Sequence, residues 1–124
     1  MTWENSLTGM SPFAATPEPP YYVVIFTSRW TPEAARDPVD YYATAERMHQ
    51  LASGMPGFLG IESARGADGM GITVSYWATE QDIAKWKQHL DHRAAQQRGK
   101  REWYEHYELR VAKVERSYSG PAGR

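Results

Sequence analysis

The sequence predicts a single α+β domain with the element order βαββαβ. Three observations predict it: four segments rich in β-branched and aromatic residues, two amphipathic helical stretches set after the first and third of these, and a length of 124 residues, which suits one core.

Residues 1–20 hold Pro12, Pro17, Pro19 and Pro20 among Ser, Thr and Ala, and read as an extended or disordered amino-terminal arm. Trp3 and Phe13 are the residues such an arm would use to wrap a neighbour. The domain proper spans 21–118, and 119–124 form a flexible tail rich in Gly and Pro.

Tyr21 to Ser28 (YYVVIFTS) is apolar on both alternating faces, so the first strand is expected to be covered on both sides. Thr31 to Arg36 reads as a loop. Asp37-Pro38 reads as an N-cap followed by proline at the first helical position, and Tyr41, Ala45, Met48, Leu51, Ala52 and Met55 follow at helical spacing. Gly54 and Pro56-Gly57 end that helix. Phe58 to Arg65 is the second strand. A turn at Asp68-Gly69 leads to the third, Gly71 to Trp77, as a hairpin. Thr79 with Asp82 resembles a capping box for a second helix carrying Ile83, Trp86, Leu90 and Ala94, which frays near Arg98-Gly99. Tyr104 to Tyr118 is the last strand, with Tyr107, Leu109 and Val111 on one face.

This order is that of the ferredoxin-like plait. Two helices cover one face of such a sheet and leave the other open. Because Tyr21, Val23 and Ile25 make that second face apolar as well, a two-fold partner laid sheet on sheet is expected, giving a homodimer.

The composition removes several function classes. Fourteen basic and fifteen acidic side chains leave a formal charge of −1, which provides no field for nucleic acid or an anionic membrane. The absence of cysteine excludes disulfides, thiolate catalysis and Cys-based metal sites, and fits a cytoplasmic location. The first twenty residues lack a basic start and a continuous apolar run, so no signal peptide is expected, and no stretch approaches the ~20 apolar residues of a membrane helix. Phosphate-cradling Gly-rich loops, nucleophile elbows and dinucleotide fingerprints are missing. Arg98, Lys100 and Arg101 form a basic patch that Glu102 and the acids of the last strand offset.

PGFLGIESARG (56–66), GITVSYW (71–77), IAKWKQHLDHRAAQQRGKREWY (83–104) and YELRVAKVERSY (107–118) together resemble the antibiotic biosynthesis monooxygenase family, in particular its small stand-alone bacterial members. The resemblance implies a dimeric α+β barrel with a pocket between helices and sheet in each protomer. It implies oxygenation of a flat phenolic, anthrone-like or quinol-like small molecule by O₂, with neither metal nor flavin. A haem-degrading branch of the family uses an Asn on the first strand, a Trp on the third and a His on the second helix. Trp77 matches that Trp, whereas the first strand offers Thr27 and Ser28 and no Asn.

Oxygenation without a cofactor needs a base near neutrality, donors for a delocalised oxyanion, and an aromatic box that excludes water. His89 lies at the edge of the second helix's buried face and is the candidate base; Arg93, one turn on, is a candidate oxyanion clamp. Trp77 and Trp86 are candidate walls. Ser75 and Thr73 share a strand face with Trp77 and are candidate substrate contacts, Ser75 being with Arg93 a candidate oxyanion donor, and Phe26 and Met48 complete the lining. Each has a structural alternative: His89 as a boundary histidine, Arg93 as a solvated one, and the two tryptophans as core. His92 points away from the core face, His49 is expected to be exposed, and His106 shares a strand face with Tyr104 and Glu108. A shared cation between His89, His92 and His106 or Glu102 is the metal alternative. Glu62 and Arg65 are expected to pair with Arg110 or Glu108 across the sheet. The same pocket without chemistry, in a binding or stress-associated module, is the rival function.

Overall fold

The structure, a computed structural model, describes residues 12–96 and 103–121, apart from the side chains of Asp40 and of residues 92–96. The elements are β1 (Tyr21–Trp30), α1 (Pro32–Arg36), α2 (Val39–Ser53), β2 (Phe58–Arg65), β3 (Met70–Trp77), α3 (Glu80–Gln96) and β4 (Tyr104–Val114). The four strands form one antiparallel sheet in the order β2-β3-β1-β4. This is the expected ferredoxin-like plait, with β1 and β3 central and β2 and β4 at the edges.

Three local readings are corrected. Residues 32–36 are helical: the Thr31 hydroxyl accepts from Ala34 N–H at 3.2 Å, Pro32 sits in the first turn and Glu33 favours the helix's positive end. Asp37 therefore closes α1, its N–H donating to the Glu33 carbonyl, and cannot cap α2, where Pro38 is the N-cap and supplies no side-chain bond. The last strand ends at Val114, which pairs with Tyr21, the first residue of β1; the residues before Tyr21 are Pro19 and Pro20, which have no N–H to continue the ladder.

The start of α3 follows the capping expectation in part. Thr79 Oγ accepts from Asp82 N–H at 3.0 Å, but the Asp82 carboxylate accepts from the Thr79 hydroxyl, at 2.9 Å, instead of from its backbone. In the β2–β3 turn Gly69 takes φ +85°, a value that favours glycine, and its carbonyl accepts from Trp30 N–H at 3.1 Å.

The core lies between sheet and helices, where Val24, Ala52, Trp77, Ile83 and Trp86 are buried together. Tyr22, Met48, Leu51, Met55, Phe58 and Leu90 pack around them. The helices leave β4 largely uncovered, so Tyr107, Leu109 and Val111 stay exposed on the helix side.

The opposite face is covered in part by the arm. Ala14 N–H donates to Glu62 at 2.9 Å, the Tyr21 hydroxyl donates to Thr16, and a Cβ on Gly60 would meet the Ala14 methyl at 2.7 Å. Tyr21 and Val23 are buried on this face, while Ile72 is 47% exposed farther along it.

Candidate functional site

Strand alternation turns Thr73, Ser75 and Trp77 of β3 toward the helices together with Tyr22, Val24 and Phe26 of β1, because directly paired residues share a face. Trp77 is fully enclosed, and its indole N–H donates to Ser75 Oγ at 2.9 Å. Its ring meets Phe58 edge-on and Trp86 face-on, the latter pair with centroids 6.0 Å apart and planes 28° apart. Trp86 and His89, three residues apart on α3, lie one above the other; their rings stack at 5.6 Å and 16°. The result is a continuous row, Phe58–Trp77–Trp86–His89, running from the sheet to the edge of α3.

His89 is half-buried, and its Nε2 is enclosed without a hydrogen-bond partner. A buried ring nitrogen left unpaired is a cost that an apolar residue would avoid. Met48 packs against the same cluster from α2. Phe26 and Thr73 are register partners one pair beyond Val24 and Ser75, farther along the same face, and are half-buried. Seven of the eight sequence candidates thus have described side chains, all on the helix side; that of Arg93 lies outside the described residues, as does that of His92.

Other histidine readings change. His49 is half-buried, its ring 6.1 Å from Phe58. His106 and Tyr104 do not share a face, because the β1–β4 register shifts between Arg29 and Trp30. Tyr104 turns to the helix side, where its hydroxyl meets that of Tyr41, and His106 turns outward to Glu108 at 2.7 Å. A cation shared by His89 and His106 would have to pass through the sheet. Among the described residues no group of three or more His, Asp or Glu is placed to hold a metal.

Glu62 and Arg65 do not pair with β4 either, since β2 and β4 are opposite edges. Glu62 accepts from the Tyr76 hydroxyl at 2.7 Å and from the arm. Arg65 turns to the helix side and donates to Ser28 Oγ at 2.7 Å, to the Gly69 carbonyl at 2.6 Å and to the Tyr41 hydroxyl at 3.2 Å. Its guanidinium lies 4.6 Å from the Trp30 ring centre and 5.3 Å from that of Tyr41. Around it Tyr42, Trp103 and Tyr104 meet Trp30 or Tyr41 edge-on. Burial, together with the Tyr41 hydroxyl, pushes the Tyr104 phenol well above its ordinary range. The sequence offers Trp103 and Tyr104 as a lid or a dimer contact and does not bring them together with Trp30, Tyr41 and Arg65.

Residues 21–98, which run from β1 through α3, match the family model of the antibiotic biosynthesis monooxygenases. The chain belongs to that family. A family relative from Bacillus subtilis (strain 168), the uncharacterized protein YqjZ, is 54% identical over 101 residues, 82% of this chain and 85% of that one. Among solved structures, PA3566 from Pseudomonas aeruginosa superposes with a TM-score of 0.61 at 12% identity, covering 82% of this chain and 99% of the other. NE2512 from Nitrosomonas europaea, a protein of unknown function, gives 0.57 at 16%, covering 86% and 100%. At these identities the two structures show a shared fold. The matched family segment contains the whole Phe58–Trp77–Trp86–His89 row and stops short of β4.

Proposed function

We propose that the chain is a cofactor-independent monooxygenase of a flat phenolic, anthrone-like or quinol-like molecule, with the substrate lodged beside Trp86 and His89. The observation that carries this reading is the unpartnered, enclosed Nε2 of His89 at the end of an aromatic stack. An unpaired ring nitrogen in a dry aromatic setting is available to a substrate hydroxyl, and aromatic neighbours orient a planar ring.

For an anthrone-like substrate, His89 takes the acidic proton. The delocalised anion passes one electron to O₂; recombination of the two radicals forms the C–O bond, His89 returns its proton to the peroxide anion, and the resulting hydroperoxide loses water to leave a carbonyl. Ser75 Oγ accepts from the Trp77 indole and keeps its own proton to donate, so Ser75 and Arg93 serve as the oxyanion donors, with Thr73 as a substrate contact. Trp77, wholly enclosed, fixes the angle of Trp86 from behind. Phe26 and Met48 complete the lining. The proposal extends to a homodimer acting in the cytoplasm. No described helix is long and apolar enough to cross a membrane.

One observation favours a binding module without chemistry: Trp77 is sealed core, with its one polar side-chain atom satisfied by Ser75. O₂ uptake by pure protein over a panel of anthrones and quinols separates the two. Uptake above the buffer rate that falls in His89→Ala supports the oxygenase; binding without uptake supports the module. A Soret shift on haem titration would redirect both readings to haem.

A further inference from the structure

The second aromatic cluster has more donors than acceptors. Trp30 is 8% exposed, and its indole N–H has no hydrogen-bond partner. Tyr41 Oη receives both Arg65 Nη2 and the Tyr104 hydroxyl at 3.2 Å, long for such contacts, and among the described residues its own proton has no acceptor. Among the described residues Arg65 bonds only neutral oxygens and forms no ion pair. The guanidinium also has a built seat: a Cβ on Gly71 would meet Arg65 Nη2 at 2.7 Å, so the strand leaves out a side chain where the cation lies.

A ring wall leads to this nook from outside. Tyr107, 55% exposed, lies 5.3 Å from Phe26 and 6.0 Å from Tyr104, ring centre to ring centre, and the Tyr104 hydroxyl reaches Tyr41. Phe26 and Tyr104 themselves meet edge-on at 5.3 Å.

We propose that the Trp30–Arg65–Tyr41 nook is a recognition site for the delocalised anionic oxygen of a flat aromatic acid, a carboxylate or phenolate whose ring lies along Phe26 and Tyr107. One cation and two unspent donors lie in a single cluster in which none of the described residues supplies an anion, and the wall beside it accepts a planar ring. The site shares the Phe26 ring with the lining proposed above, but its cation and donors lie apart from the His89 row; it concerns binding alone, so it stands or falls independently of oxygenation.

The test is a titration of ¹⁵N-labelled protein with 2-naphthoate and with its neutral isostere 2-naphthamide, following the indole N–H signals; Trp30→Phe identifies the Trp30 signal. Expected is a shift of that signal by naphthoate, and a loss of naphthoate affinity of ~10-fold or more in Arg65→Met, the range for hydrogen bonds to a charged partner. Naphthamide should bind weakly and equally to both. Lys87→Ala, on the exposed face of α3 with Asp91, should bind naphthoate as the parent does. If Arg65→Met melts early, Tyr41→Phe, which removes one oxygen only, carries the comparison with a severalfold loss. An unmoved Trp30 signal, a shift confined to Trp86, or equal naphthoate binding by parent and variants would overturn the proposal.

Discussion

The His89 imidazole lies against the Trp86 indole with planes 16° apart, and its Nε2 is enclosed without a partner. Stability alone gives no reason for a histidine there, since an apolar side chain would cover the same indole without an unpaired nitrogen. His89→Ala is therefore expected to lower O₂ uptake on a responsive substrate by ~10²-fold while shifting the urea midpoint little. An unchanged rate would remove His89 as the base.

Trp77 and Ser75 are coupled differently. Ser75→Ala strands an indole N–H in a ring-lined interior, which costs about 1–3 kcal/mol. Trp77→Phe removes the donor but opens space beside Trp86 and Phe58. The double variant should lose less stability than the two single losses combined, as measured by urea unfolding; simple additivity would mean that the bond contributes nothing.

The order of the elements and the face of each central strand were legible because period-2 alternation and β-rich runs are local signals. YYVVIFTS and GITVSYW show them directly, and Trp77 with Ser75 followed from parity alone. The short helix after Thr31 was also written in local residues, Thr-Pro-Glu, but the neighbouring Asp37-Pro38 offered a competing cap. The Arg65 cluster was not legible. It depends on which strands become edges and on a register shift that turns Tyr104 inward, and neither is encoded near Arg65. Its parity with Ile61 and Ser63, both on the helix side of β2, was the available hint.

Gly71 ties that cluster to the backbone. Gly71→Ala puts a methyl where the guanidinium lies, and the cation can leave only by giving up Ser28, Gly69 and Tyr41 together. A loss of about 1–3 kcal/mol is expected, with a change in near-ultraviolet circular dichroism as Trp30 and Tyr41 lose their cation. Gly66→Ala, where the nearest atom is an Asp68 carboxylate oxygen at 3.0 Å, should cost less in the same assay. Equal losses would show that Arg65 relocates freely.

The outer face should respond in two steps. Its Tyr21 end is covered by the arm, whereas Ile72 remains exposed and offers a partner an apolar contact. Ile72→Lys is expected to shift sedimentation from dimer toward monomer with little change in the circular dichroism of the fold. Deleting residues 1–20 is expected to lower the melting temperature, because Tyr21, Tyr76 and Glu62 lose their cover. A parent chain that sediments as a monomer would end the dimer proposal.

Alkaline pH should unfold the chain sooner than its formal charge suggests. Burial raises the Tyr104 phenol above its ordinary value of 10.0, reinforced by Tyr41; burial and then the Glu62 hydrogen bond raise Tyr76 in the same direction. Below pH 10 both folded and unfolded chains keep these protons, so the two residues add no pH dependence. Above it the unfolded chain releases protons that the folded chain retains, and stability falls as pH rises, by up to about 1.4 kcal/mol per unit for a group as enclosed as Tyr104. Tyr76 contributes less because solvent screens it. Absorbance at 295 nm should therefore show fewer than the eight tyrosines ionising in the folded chain at pH 11, the remainder appearing together with unfolding. Tyr104→Phe should lose part of that slope, so that its stability relative to the parent is better at pH 11 than at pH 8. If all eight tyrosines titrate near the ordinary value while the fold persists, Tyr104 is open to solvent and the closed Tyr41–Tyr104 contact does not hold.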